Sequence, residues 1–294
     1  MNWECLRSDE FAGVIERSKG LCVIPLGCLE KHGPHLPVGT DSLFARSLVE
    51  QAAEIEEVCV FPAGMWLGDV IFRHTDEDPV EKNMAGFISM NPQTMLTVLE
   101  ELCNEIARNG FRKILFVNAH GGNPPMLDYF LSAQNYKKRS YATMHTFAFG
   151  DFGPANMYRI VQQRKAEFPY LTEADLEAMK HAAETLGNAV GHADWNETAL
   201  IYGCNPELVC KERMTVEDGS PTHRTDYLVK NGIYSTHRWY ANFPNHFDGA
   251  PAIGCSENIG RAVHQVSVER LANIFKVLKE DEDCVRMAQG LPKL

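Results

Sequence analysis

Three short apolar runs, each closed by a turn residue and each separated from the next by a helical stretch, constrain this chain more than any other feature. They are LCVIPLG at residues 21–27, VCVFP at 58–62 and KILFVN at 113–118. Runs of this length, bounded by Gly, Pro or Asn, read as strands buried on both faces. Between the first two, residues 41–57 place Leu43, Leu48 and Ala52 at helical spacing. A second helix is predicted over 92–109. Asn91 suits its cap, Pro92 its first helical position and Gly110 its stop. After residue 118 comes a Gly-rich turn, then a helix from Pro125, then a fourth strand over 140–149. Strand and helix alternating in this way predict an α/β fold with a largely parallel sheet.

The rhythm breaks at residues 150–191. A helix over 172–186 opens there with a Thr-Glu-Ala-Asp cap pattern. The stretch reads as a helical and loop insertion over the site within one domain spanning 1–294. Residues 204–254 are rich in Gly, Pro, Asn, Asp and His and predict loops with short strands. Residues 256–280 form a final amphipathic helix.

Composition removes several functional classes. The net charge is −11, with no long Lys/Arg block, so nucleic acid is not an expected partner. No apolar stretch approaches the ~20 residues that span a bilayer, so no membrane partner is expected either. The start, MNWECLRSDEF, lacks the apolar centre of a signal peptide. The nine cysteines are scattered, odd in number and without a CxxC pair, which fits reduced thiols in the cytoplasm.

Two loops that follow predicted strands carry metal-ligating residue types. The first is GCLEKHGPHLPVGTD at 27–41, with Glu30, His32 and Asp41. Glu30 and His32 are two apart, so in extended chain they share a face. Gly33, Pro34, Pro37 and Gly39 restrict the path onward to Asp41. Alone, Asp41 would read as a helix N-cap and His32 as an ordinary loop histidine. Together, at the end of a strand, they point to a cation. Carboxylates with imidazoles suit Zn²⁺, Mn²⁺ or Fe²⁺. Cys28 stands nearby, but the sequence leaves the direction of its turn open, and the ligand set is taken without it. The second loop is NAHGGN at 118–123, which puts His120 at a strand end among small residues. It lacks the spacing and lysine of a phosphate-binding loop. A third run, GHADWNETA at 191–199, offers His192 and Glu197 before an apolar, strand-like segment. Alone it is unspecific, and a solvated loop explains it equally well. His74, His145, His181, His223, His237, His246 and His264 read as surface or core residues. Trp66, Trp195 and Trp239 read as core or interface residues with the option of lining a pocket.

In order and spacing these three segments, over about residues 20–202, resemble the creatininase (creatinine amidohydrolase) family. Its pattern runs G-x-x-E-x-H-G-P-H-L-P-x-x-x-D, then N-G-H-G-G-N, then G-H-A-G-x-x-E-T-S. The resemblance implies a three-layer αβα sandwich related to the Rossmann layout and one or two divalent ions per subunit, zinc foremost. It also implies hydrolysis of an amide or cyclic amide in a small molecule, and a homo-oligomer, often a hexamer. Carried over by motif, Glu30, Asp41 and His120 hold one ion, and His32 with a bridging Asp41 holds the second. Creatininase proper completes the second site with a glutamate where this chain has Gly122, and Glu197 is the expected substitute. His192 is then the proton donor to the leaving group, and Glu197 binds metal or relays the proton. Asp194 and Trp195, together with the segment 73–84, depart from the family pattern and point away from creatinine itself. The remaining readings are C–C hydrolysis of a cyclic diketone and a metal-retaining binding protein without catalysis.

Overall fold

The computed structural model describes residues 1–63, 68, 85–150, 153–235, 238–248, 252 and 254–290. Its sheet consists of β1 (Leu21–Leu26), β2 (Cys59–Val60), β3 (Lys113–Asn118) and β4 (Ala142–Phe147) in the order β2-β1-β3-β4, all parallel. β1 and β3 run in full register from the Leu21–Lys113 pair to the Leu26–Asn118 pair. The helices are α1 (Phe11–Arg17), α2 (Thr40–Ile55), α3 (Pro92–Arg108), α4 (Pro124–Gln134), α5 (Pro154–Gln163), α6 (Glu173–Leu186), α7 (Trp195–Cys204), α8 (Asp226–Lys230), α9 (Arg238–Asn242), α10 (Glu257–Glu280) and α11 (Asp283–Gln289).

Strand alternation divides the core into two. Leu21 and Val23 of β1, with Leu115 and Val117 of β3, face one cluster shared with α2, α7 and α10. Their neighbours Cys22, Ile24, Leu26, Ile114 and Phe116 face the other, against Met95, Leu99 and Cys103 of α3 and Leu127 and Phe130 of α4. Side chains two apart share a sheet face. A parallel sheet whose strands β1, β2 and β3 are fully buried, with helices on both sides, is the expected αβα sandwich. α3 is capped as predicted, with the Asn91 side chain accepting from Gln93 N and Gly110 beyond its end at φ 103°. The capping box at Thr172 and Asp175 opens α6.

Two local expectations need correction. The apolar run after Glu197 is α7, not a strand. It is buried on every face and packs against α2 and α10, so it shows no amphipathic period to separate it from a buried strand. Gly260 of α10 lies so close that a Cβ there would fall 2.5 Å from Tyr202 Cβ. Residues 204–254 hold no strand among the described residues. They form 3₁₀ turns with α8 and α9, and their one ladder contact with the preceding segment is the isolated His192–Asp248 bridge. Asp41 is the second residue of α2, behind a Gly39 cap.

Candidate metal centre

Strand order reverses at β1, which has β2 on one side and β3 on the other. In an open parallel sheet the crevice at such a switch point lies outside the carboxyl ends of the strands. The loops leaving β1 and β3 are the ones that carry Glu30, His32 and His120. The β1 loop is held by Leu29 pairing with Ile88 and by Glu30 N donating to Val38 O at 3.0 Å. Gly33 turns it at φ 59°. The β3 loop is locked by its two asparagines. Asn118 Nδ2 donates to His120 O at 2.8 Å, and Asn123 Nδ2 donates to Asn118 Oδ1 at 3.0 Å.

These loops converge. His120 Nδ1 lies 2.8 Å from Glu30 Oε1 and 3.1 Å from Asp41 Oδ2. His32 Nε2 lies 3.0 Å from Asp41 Oδ1 and 3.7 Å from Glu197 Oε2. Asp41 thus faces one imidazole with each oxygen. His192 Nδ1 stands 3.8 Å from Glu30 Oε1. All of these side chains are buried apart from the half-buried His192.

Proton placement shows what the cluster requires. His32 Nδ1 contacts the Glu30 carbonyl at 3.1 Å, and a carbonyl only accepts, so Nδ1 carries the hydrogen. His32 Nε2 faces two carboxylates, an arrangement that calls for positive charge between them, supplied by a proton on the ring or by a cation that takes its place. Burial alone would lower the basicity of His32, but Asp41 and Glu197 outweigh it and push the ring up to about 10. Burial alone would raise Glu30, but His120 and His192 hold it down at about 2. Asp41 is likewise held below the carboxylate range against burial, by His32 and His120. Glu197 is pushed well up, by burial first, with His32 only partly offsetting it. Glu30 Oε1 is buried with no hydrogen bond although an imidazole nitrogen lies 2.8 Å away. Glu30, Asp41 and His120 form one donor group and His32 and Glu197 belong to an adjoining one, and carboxylates with imidazoles in such groups fit divalent cations in both charge and donor type.

The third run closes the side of the cluster. Asp194 caps α7, accepting from Asn196 N at 2.9 Å and Glu197 N at 3.0 Å, and its other oxygen accepts from Gly191 N at 2.8 Å. This fixes Glu197 in the first turn. Ala193 takes φ 57°, and its N–H donates to Glu197 Oε2. His192 Nε2 donates to the Lys31 carbonyl at 2.7 Å, so its Nδ1 lone pair faces the cavity. Burial lowers the basicity of this ring.

Above the cluster is a cavity of about 400 Å³, lined by Glu30, His120, His192 and Glu197 below and by Phe149 and Trp239 among its apolar walls. His246 also lines it, in contact with Trp239 and Tyr240 (ring centroids 5.2 Å from each). The sequence had placed His246 among ordinary histidines, and nothing in its local pattern marks it. Cys28 is the other residue that sequence reasoning left out. Its sulfur lies 3.2 Å from Asp41 Oδ2, within a group formed with Glu30, Asp41 and His120. The available signal was alternation, since Cys28, Glu30 and His32 are two apart. His145 pairs with Asp128, His223 with Asp226, and His264 with Ser47, all away from the cluster. Trp195 is core. His74, Trp66, His237 and the segment 73–84 lie outside the described residues.

The family model for creatinine amidohydrolase matches residues 4–275. The chain belongs to the creatininase family. It is 27% identical over 203 residues to the creatinine amidohydrolase of Pseudomonas putida, covering 66% of this chain and 69% of that one. It is 31% identical over 202 residues to a mycofactocin precursor peptide peptidase of Mycobacterium ulcerans, covering 68% and 64%. A 3-dehydro-scyllo-inosose hydrolase of Thermotoga maritima is 28% identical over 101 residues, covering 34% of this chain and only 30% of that protein. A solved creatininase superposes with a TM-score of 0.67 at 18% identity, covering 95% of this chain and 98% of the other. That likeness establishes the αβα fold. Among similar solved creatininases one is of Zn–Zn type and another is a Mn form. The chain is a creatininase-family hydrolase, and a divalent metal is the cofactor that the family and the cluster agree on. Among the described residues no helix is long and apolar enough to cross a membrane.

Proposed function

We propose that this hydrolase cleaves the C–N bond of a small amide, cyclic amide or formamide with a divalent ion, zinc foremost, and an activated water. The observation that carries the reading is the convergence of Glu30, Asp41, His120 and His32 beneath an open cavity, with His192 and Glu197 at its side. Glu30, Asp41 and His120 would hold one ion. His32 and Glu197, with Asp41 bridging, would hold a second, Glu197 standing in for the carboxylate that Gly122 does not supply. The bound metal supplies Lewis acidity toward the scissile carbonyl and lowers the pKa of water.

The chain's own groups do the rest. His192, anchored through Nε2–H on Lys31, presents Nδ1 to take a proton from the attacking water and pass it to the leaving nitrogen. The Asn118–Asn123 lock keeps His120 in place during turnover. The cavity holds a compound of ring size, and the described residues lining it include no Lys or Arg, which suits an uncharged or cationic substrate better than an anionic one. A deep cavity next to the donors favours catalysis over a closed structural ion.

Cleavage of a cyclic diketone is the second reading, favoured by the identity to the inosose hydrolase. A homo-oligomer fits the strongly exposed Tyr136 and Tyr234, and a cytoplasmic setting fits nine free thiols. The test is chelation followed by a screen of lactams, formamides, short peptides and cyclic ketones. Activity on a lactam or formamide, lost on chelation and restored by Zn²⁺ or Mn²⁺, is expected. Hydrolysis that persists in metal-free protein would refute the mechanism.

A further inference from the structure

The β1 loop places a fully buried thiol where the proposed chemistry has no use for it. We propose that Cys28 is a fourth protein donor to the ion held by Glu30, Asp41 and His120, making that site an oxygen, nitrogen and thiolate centre selective for zinc. This rests on the metal-dependent reading above.

Geometry supports it from two directions. Cys28 Sγ is 3.2 Å from Asp41 Oδ2, and the donor atoms of Cys28, Glu30, Asp41 and His120 all lie within 4.8 Å of one another. In the same group the buried Glu30 Oε1 has His120 Nδ1 2.8 Å away, so carboxylate, imidazole and thiol are packed against one another as a donor set. The thiol is also held in place. Gly68 packs on Cys28 so tightly that a Cβ at residue 68 would fall 2.2 Å from Cys28 Cβ. Ser42 Oγ donates to the Cys28 carbonyl at 3.2 Å, and a Cβ on Gly27 would lie 2.5 Å from Ser42 N. The start of α2 therefore fixes Cys28 and Asp41 relative to each other.

The chemistry balances simply. As sulfur coordinates, the S–H bond breaks, the proton leaves to solvent, and the electron pair stays on sulfur as the donor pair. A soft thiolate selects zinc over manganese, which prefers oxygen. The second site proposed above, His32 and Glu197 with Asp41 bridging, contains no sulfur, so the two sites would differ in metal preference.

X-ray absorption on the zinc-loaded full chain tests this. One sulfur scatterer at about 2.3 Å beside nitrogen and oxygen at about 2.0–2.1 Å is expected. Cys28→Ser should lose it, whereas a Cys5→Ser/Cys210→Ser control, which removes the two exposed thiols, should keep it. In the cobalt-substituted protein the thiolate-to-cobalt absorption in the near ultraviolet should vanish with the same variant. The preference for zinc over manganese should fall on the order of tenfold. A nitrogen and oxygen shell alone in wild-type zinc protein overturns the proposal whether or not Cys28→Ser folds, and leaves the hydrolase reading standing. A chain that takes up no zinc, manganese or cobalt overturns both.

Discussion

On the floor of the cavity the ionisable groups sit at strand ends and helix starts, whereas on the wall Trp239 and His246 sit on turns and short helices between residues 204 and 254, and Phe147 and Phe149 at the end of β4. His32 on the floor is pushed up to about 10 against its burial by Asp41 and Glu197. His246 on the wall is pushed down by burial to about 3, with Glu30 opposing the shift and His192, Lys31 and His32 adding to it. The same side chain thus takes opposite character a few ångströms apart. The floor is built to hold positive charge, and the wall to exclude water and shape what enters. Chemistry should therefore fail when the floor is altered, and selectivity should drift when the wall is.

The largest effect is expected at His192, where the two regions meet. His192→Gln should cut kcat by roughly 10²–10⁴-fold with metal content unchanged. Loss of metal together with rate would make His192 a ligand instead of a proton carrier. Asn118→Ala removes the lock on His120 and should weaken metal affinity by about 10–100-fold. An unchanged affinity, read by chelator competition, would mean the β3 loop holds itself.

A buried histidine outside the cavity serves as the reference for acid sensitivity. His264 donates to or accepts from Ser47 Oγ at 3.0 Å, and burial pushes its ring down to about 4. The unfolded chain binds that proton near pH 6.5, so between pH 6.5 and 4 the unfolded state holds more protons and acidification favours unfolding. That slope is at most about 1.4 kcal/mol per pH unit from this group. Urea unfolding of His264→Gln should show a shallower fall in stability over this range than the wild type. Parallel curves would mean that His264 does not contribute to the acid sensitivity. Smallest is the wall itself: Trp239→Ala should raise KM roughly tenfold or less while kcat and metal content stay near wild type. A collapse of kcat there would erase the distinction between floor and wall.

The same division explains what could be read in advance. Glu30, His32, Asp41 and His120 stand out because each follows a strand whose apolar run is unmistakable, and position after a strand says where a side chain ends up. β2 is only Cys59–Val60, yet its run was visible because neighbouring residues are equally apolar. α7 was misread because total burial removes the amphipathic stripe, although the Asp194-to-Glu197 spacing carried the capping signal. His246 was out of reach, since its place depends on how a turn-rich stretch returns over the cavity. Cys28 stands apart from these: alternation puts it on the face of Glu30 and His32, but a turn whose direction the sequence leaves open kept it out of the expected ligand set.

Donors reach the floor from the β1 loop, α2, the β3 loop and α7, so the ion held by Glu30, Asp41 and His120 would rivet three separate stretches of chain and a second ion would add α7. Binding of this kind favours the folded population, by about 2.7 kcal/mol when free ion is a hundredfold above its Kd. Supply of the ion would then govern the lifetime of the polypeptide as well as its turnover. Starved of it, a cell would lose the protein to proteolysis before it noticed an idle enzyme.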